Sequence, residues 1–529
     1  MVDIVYGRHR SSKMNWIIFL LATLLKFYFY IKVFINKKFN REKPQRIPPA
    51  VNHLIELSAS VLAKKIRLGE ITSREVVETY IQRIKEVNPV INAVIEDRFQ
   101  EALEEAKLCD ESIRDGKINI LELEKKRPLY GIPFTVKEAC KLKELSYTGG
   151  TYARRGIKAS ENGEAVEMLR NAGGIPLCVT NTPELCTGFD SYNYIFGRTC
   201  NPYDTRYTAG GSSGGEGALI GSGCSLIGIG SDIIGSIRIP ALFNGVFGHK
   251  PTTGIVSLKG HFPFIDNAKF KEYLVIGPIT RYAEDLNLLM KVLTAKYNRD
   301  LYLDDPVDLK TLKVFYLEDF GPFATLVPPQ KEIRKCIRRA VKHLKYCCSE
   351  VKEYPDTLIH TFQTAILNLM SINELPILLD PNDLEHERKL ICELPKSLLG
   401  ISQYTFGAIF LKSLLSLRRF VNNPEDEELN TQRQRQHFID LLGNNGVFIC
   451  PTYPITAPIG KTIVYNIFSS IYCSLWNFFG FPGTNVPMGI TADGLPISLQ
   501  VVAAPYQDRL CLAVAKELER SFGGWTPPY

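Results

Sequence analysis

The spacing of apolar and polar positions changes period several times along this chain. Thr72 and Glu75 form a capping box ahead of Val76, Val77, Tyr80, Ile81 and Ile84, whose recurrence at helical spacing predicts a helix. In the segment GIPFTVK, Ile132, Phe134 and Val136 alternate as a strand does. Short apolar runs at 175–179, 226–229, 447–450 and 497–502, each bounded by Gly, Pro or Asn, predict further strands. Strands interspersed among helical stretches predict an α/β domain. In FGAIFLKSLLSLRRF, residues 406–420, Phe406, Phe410, Leu414 and Leu417 share one side. That pattern fits a helix packed on the core, or an apolar cap lying on a membrane near a site mouth.

One apolar run differs from the rest in length. Trp16 to Ile35 reads WIIFLLATLLKFYFYIKVFI, twenty residues interrupted only by Thr23, Lys26 and Lys32, which is enough to cross a bilayer as a helix. Lys26 costs about 3 kcal/mol on insertion scales, and each surrounding Leu, Ile or Phe returns a few tenths. No small-residue cleavage site follows; Phe27 to Tyr30 and then Lys37, Lys38, Arg41, Lys43 and Arg46 come instead. The expectation is an uncleaved single-pass anchor at about 16–35, with a signal peptide or a surface helix as the alternatives. Six cations from Lys32 to Arg46 outnumber the three before the run, which places the body on the cytosolic face. Residues 1–46 then form a basic-flanked N-terminal segment, and beyond the Pro-marked stretch Pro44–Pro49 one large domain occupies 47–529.

Composition narrows the function classes. The chain of 529 residues, 45% hydrophobic and 22% charged, is a folded protein and not a disordered one. Its net charge of +7 comes from the first 46 residues, where ten Lys/Arg face two Asp/Glu; the remainder holds 53 against 54. The body is neutral, so no nucleic-acid partner is expected. Thirteen cysteines, an odd number without a C-x-x-C pair or metal-like spacing to the eight histidines, argue against a disulfide framework or a zinc module.

Between Thr208 and Pro251 glycines crowd among serines and isoleucines, too apolar for a solvated linker and without a phosphate-loop pattern. A buried glycine-rich loop would bring backbone N–H groups and hydroxyls close to a ligand, as an oxyanion site beside a serine nucleophile requires. Such a serine needs a base. His249 is the nearby histidine, with no marked acid to orient it. Lys137, at the end of the apolar strand, is the alternative, because desolvation favours the neutral amine that can accept a proton.

Gly131-Ile132-Pro133-Phe134-Thr135-Val136-Lys137-Glu138, then Thr180-Asn181-Thr182-Pro183-Glu184, then Gly210-Gly211-Ser212-Ser213-Gly214-Gly215, then Asp232 to Arg238, in that order, resemble the amidase signature family. Cys450-Pro451-Thr452, Asn485 to Gly489 and Asp493 to Gln500 extend the likeness from about residue 50 to the C-terminus. The resemblance implies an α/β amidase signature fold, a large mixed β-sheet covered by helices. It implies a Ser–Ser–Lys triad in which Lys137 is the base, Ser212 the bridging serine behind a cis peptide bond, and Ser236 the nucleophile. Backbone N–H groups of Ile233, Ile234, Gly235 and Ser236 match the family's oxyanion hole, and Cys186 matches a position whose backbone borders the substrate. Ser213, Asp232 and Arg238 match structural partners. No metal or organic cofactor is implied.

The sequence departs from the family where Ile234 stands in place of a glycine. If that position needs φ > 0, a β-branched residue there costs about 1–2 kcal/mol and turns a donor away. Loss of one oxyanion donor costs about 3 kcal/mol in the barrier. Two functions follow: hydrolysis of an amide, or an amidase-fold protein that binds lipids or partners with little turnover. A glutaminyl-amidotransferase subunit shares fold and triad but predicts partner subunits and no anchor. With an anchor, the expected substrate is one that partitions into the bilayer, a fatty-acid (long-chain N-acyl) amide. Self-association into a homo-oligomer is compatible with the sequence.

Overall fold

The apolar runs become strands because both faces of a sheet are buried under helices, so continuous hydrophobicity replaces alternation. In the computed structural model the strands are, in chain order, β1 (Val94–Asp97), β2 (Pro133–Lys137), β3 (Ile175–Thr180), β4 (Tyr192–Asn193), β5 (Gly197–Arg198), β6 (Ile227–Asp232), β7 (Phe247–Lys250), β8 (Val275–Thr280), β9 (Lys313–Tyr316), β10 (Glu350–Glu353), β11 (Leu379–Asp380), β12 (Asp383–Glu387), β13 (Gly446–Cys450), β14 (Gly483–Ile490) and β15 (Pro496–Ala503). Eleven of them form one sheet in the order β1-β3-β2-β6-β8-β7-β14-β15-β13-β9-β10, while β4–β5 and β11–β12 are separate two-stranded ribbons. The sheet is mixed: β2 is parallel to β3 and β6, and β9 to β10 and β13, whereas β6–β8, β7–β14 and β14–β15 are antiparallel.

The structure describes residues 43–529 except 117–118, 298–299, 323–325, 359–360, 362–363, 365–367, 369, 371, 373, 417–423 and 461. The anchor expected at 16–35 lies outside the described residues, and so does Leu417 of the apolar cap. Among the described residues no helix is long and apolar enough to cross a membrane. The stretch Pro44–Pro49, read as a linker, lies partly on the body: Ile47 is buried, and Arg83 Nη1 donates to the Pro48 carbonyl at 2.8 Å.

The capped helix spans Ser73–Ile91, with Thr72 Oγ1 accepting from the Glu75 N–H at 3.0 Å and Val76, Val77, Tyr80, Ile81 and Ile84 all buried. The glycine-rich block is more ordered than a loop. It runs through the helix Gly214–Gly221, strand β6, the helix Arg238–Phe243 and strand β7, and nearly all of it is buried. Its glycines permit close approach. A Cβ on Gly215 would stand 2.5 Å from the Asn181 nitrogen, so the first turn of Gly214–Gly221 packs directly on the backbone that follows β3.

That contact generates a stability prediction. Gly215→Ala forces backbone apart in a filled interior and should destabilise the fold by about 1–3 kcal/mol, read as a lowered midpoint of thermal unfolding. An unchanged midpoint would mean that the two segments do not touch as described.

Candidate active site

Lys137 ends β2 and Ser231 lies near the end of β6, its neighbour, so the pairing of two buried strands brings them together. Lys137 Nζ lies 3.0 Å from Ser231 Oγ and 2.7 Å from Ser212 Oγ. Lys137 has no exposed surface. Ser212 precedes the helix Gly214–Gly221, and the Gly211–Ser212 peptide is cis, as the resemblance implied. Ser213 holds the same turn from behind: its N–H donates to the Ser236 carbonyl at 3.1 Å, and its Oγ accepts from the Ser231 N–H at 3.3 Å.

Ser236 sits in the turn between β6 and the helix Arg238–Phe243, and a buried ion pair shapes that turn. Arg238 Nε donates to Asp232 Oδ2 at 3.0 Å with neither side chain exposed. The same carboxylate accepts from the N–H groups of Gly235 at 2.7 Å and Ile237 at 3.1 Å. Burial pushes the Asp232 carboxyl up, but the Arg238 charge and its hydrogen bond outweigh this and hold it down at about 2. This narrows the expected oxyanion donors, because the Gly235 N–H is directed at Asp232. The N–H groups of Ile233, Ile234 and Ser236 have no protein acceptor among the described residues.

The left-handed conformation that the sequence raised as a cost for Ile234 falls instead on Gly235, at φ 119°. A Cβ there would meet Cys473 Cβ and Ile239 Cδ1, both at 2.8 Å. Ile234 is not among the residues with positive φ, and its side chain packs against apolar neighbours beside the site.

Ser212, Ser231, Ile233, Ile234 and Ser236 share one cavity with Cys186 and His261. The cavity is narrow, about 60 Å³. Its outer wall is apolar, built from Phe270, Leu274, Ile372, Leu375, Leu411 and Leu415. Cys186 enters it on a backbone at φ 59°, next to Leu185 at φ 50°. Leu411 and Leu415 belong to the helix Phe406–Ser416, from the segment singled out for its apolar stripe; Phe406, on the other side, is exposed and stacks on Phe410.

Sequence reasoning missed Ser231 and His261. His261 Nε2 lies 2.8 Å from Ser231 Oγ, and Nδ1 lies 3.0 Å from the Pro263 carbonyl. Burial, and then the Lys137 charge, push its imidazolium down to about 3. Ser231 was within reach of sequence reasoning, two residues from a strand run and five before Ser236, whereas no local pattern marks His261. His249, the histidine weighed from sequence, pairs with Thr484 at 2.8 Å and Asp508 at 3.1 Å and does not line the cavity. Chemically, the site offers a buried amine in contact with the Ser212 and Ser231 hydroxyls, a further hydroxyl, Ser236, on the same cavity, and backbone N–H groups without a protein acceptor among the described residues. These are the parts of an acyl-transfer site.

The Amidase family model matches residues 75–512. Fatty-acid amide hydrolase 2 of Homo sapiens is 38% identical over 499 residues, 93% of each chain. Fatty-acid amide hydrolase 2-A of Danio rerio is 39% identical over 497 residues, 92% of this chain and 93% of that one. A solved fatty acid amide hydrolase shares the fold, with a TM-score of 0.71 at 24% identity over 96% of both chains.

The ion pair carries a prediction about acid stability. The Asp232 carboxyl is held below its ordinary value of 3.8, so its contribution is complete above that pH and is lost as the pH falls toward about 2. Asp232→Asn strands a buried guanidinium and should cost about 3–5 kcal/mol at neutral pH. In acid unfolding followed by circular dichroism, the gap between wild type and variant should close over that window. A constant gap would refute the assignment.

Proposed function

This chain belongs to the amidase family and is an amide-hydrolysing hydrolase, and we propose that it cleaves fatty-acid amides through Lys137, Ser212 and Ser236. The observation that carries the reading is the 2.7 Å contact between Lys137 Nζ and Ser212 Oγ on the cavity that Ser236 also lines. Neutral Lys137 takes the Ser212 proton as Ser212 takes that of Ser236, and Ser236 Oγ attacks the amide carbonyl. The N–H groups of Ile233, Ile234 and Ser236 receive the oxyanion. Ser212 then protonates the leaving amine and is reprotonated by Lys137. Water, activated by the same relay, releases the acid from Ser236. The scheme needs no metal or organic cofactor.

The substrate class rests on the apolar outer wall and on the printed names of the relatives. A long acyl chain would enter by parting Leu411 and Leu415 from Ile372 and Leu375. The membrane reading rests on the segment 16–35, together with the exposed Phe406 beside Phe410 on the cavity helix. In this reading the protein is a single-pass membrane protein with its body on the cytosolic face, and it draws its substrate from the bilayer.

Labelling of the membrane-expressed protein with a fluorophosphonate probe tests the chemistry. Wild type should label, and Ser236→Ala should not. Ile234→Gly should label no faster than wild type, because Gly235 already supplies the positive φ. Faster labelling of Ile234→Gly, by about tenfold or more, would instead favour a disabled oxyanion loop. Deletion of residues 1–46 tests the substrate reading: hydrolysis of a vesicle-borne N-acyl amide should fall while that of a short soluble amide is retained. Equal loss, or no loss, on both would sink the membrane-substrate reading.

A further inference from the structure

We infer that His261 is a positioning residue for amide hydrolysis, acting through Ser231 to aim the lone pair of Lys137 at Ser212. The inference rests on the Ser–Ser–Lys reading above and goes beyond it to a residue outside the triad.

Hydrogen-bond direction sets the arrangement. The Pro263 carbonyl can only accept, so the Nδ1 atom 3.0 Å from it carries hydrogen. Burial keeps the ring neutral, with its imidazolium pushed down. Nε2 is therefore bare and can only accept, and the group it faces at 2.8 Å is the Ser231 hydroxyl. Ser231 has one hydrogen, and His261 takes it. Toward Lys137, 3.0 Å away, Ser231 then presents lone pairs alone. A neutral amine has two hydrogens and one lone pair. One N–H goes to Ser231, which has nothing to donate in return, so the lone pair is left for the Ser212 hydroxyl at 2.7 Å.

The surroundings hold the ring in place. His261 is buried, its N–H donates to the Leu258 carbonyl at 3.0 Å, and the next residue, Phe262, donates to the Ala139 carbonyl at 2.8 Å. Ala139 lies two residues beyond Lys137, and the Cys140 N–H returns to the Lys137 carbonyl at 2.8 Å. The histidine and the lysine thus ride on one short stretch of paired backbone. Without the imidazole, the Ser231 hydroxyl is free to point its hydrogen at the amine and compete with Ser212 for the lone pair.

The test is the second-order rate of Ser236 labelling by a fluorophosphonate on the full membrane-expressed chain, in His261→Phe, His261→Gln, Ser231→Ala and the double variant Ser231→Ala/His261→Phe. His261→Phe removes the acceptor at similar size and should slow labelling roughly tenfold, while His261→Gln, which offers an amide oxygen to Ser231, should stay within about threefold of wild type. With the competing hydroxyl gone, His261→Phe should add nothing: the double variant should label at the Ser231→Ala rate. A ring that merely fills space, or a variant that misfolds, would lower the rate in both backgrounds, and that result overturns the inference. So does wild-type labelling by His261→Phe alone, which leaves the triad reading standing. Absence of labelling in the wild type removes the triad reading and this inference with it.

Discussion

Arg238 and Asp232 are both fully buried, and the turn that carries Ser236 is built on their contact. Two isolated charges in such a place would cost several kcal/mol each, and their attraction alone does not return that. The surrounding bonds do. Arg238 also donates to Asn477 Oδ1 at 2.6 Å, Gln500 Oε1 at 3.0 Å and the Cys473 carbonyl at 3.1 Å, while Asp232 accepts two backbone N–H groups and Asn477 Nδ2. The pair therefore ties β6, the helix Ile471–Phe478 and β15 to a single turn. Because the carboxylate consumes the N–H groups of residues 235 and 237, the donors between and before them are left directed elsewhere. The N–H groups proposed to receive the oxyanion are in this sense those left over when one buried arginine is neutralised.

A second set of buried acids borders Lys137. Glu216 accepts from Thr135 at 2.7 Å and Thr180 at 2.8 Å, hydroxyls on the lysine's own strand β2 and on its neighbour β3. Burial pushes its carboxyl up to about 8, against those hydrogen bonds and the charge of Lys137. Glu138, the next residue after the lysine, is likewise raised by burial while its oxygens hold Ser146, Thr148 and Gly149. An ionised carboxylate in contact with an amine favours the ammonium form, which cannot act as a base. In this site the Nζ atom meets hydroxyls, and the nearest acids are bound up in the fold and shifted toward neutrality. The polar interior is thus arranged by kind of partner as much as by distance.

What sequence revealed here was local. The capping box at Thr72 and Glu75, the alternation in GIPFTVK and the apolar runs became elements because their signals lie within a few residues and burial follows from them. Lys137, Ser212 and Ser236 each lie in a contiguous motif, and the fold sets the first two in contact and Ser236 on the same cavity as Ser212. Outside the strand run at 226–229, the glycine block predicts a buried loop of closely approaching backbone; in the fold it packs as helix and strand, with Gly228 so close to Glu216 that a Cβ has no room. His261 stayed hidden for a different reason. It reaches Ser231 across 30 residues and Lys137 through the hydroxyl between them, and no periodicity encodes such a path. The pairing of His249 with Asp508 is 259 residues apart and is equally silent in sequence.

In the proposed reading, chemistry and substrate selection occupy different materials in this molecule. The groups proposed to react stand on the end of β2 and on the turns into two short helices, all buried, where a small displacement would leave polar groups unsatisfied. The outer wall is apolar. Glu184, raised by burial to about 7, receives Thr151 Oγ1 at 3.0 Å and the Thr405 N–H at 2.7 Å, and so fastens the start of the helix Phe406–Ser416 to the turn that presents Cys186. Beyond that clasp the helix meets the cavity only through Leu411 and Leu415, side chains with no polar atom to place. Apolar contacts are nondirectional and can re-form after sliding, whereas the hydrogen bonds behind Ser212 and Ser236 cannot. On the proposed substrate, a wall of this kind would part for a long acyl chain without moving the lysine, the two serines or the turn that Arg238 and Asp232 hold.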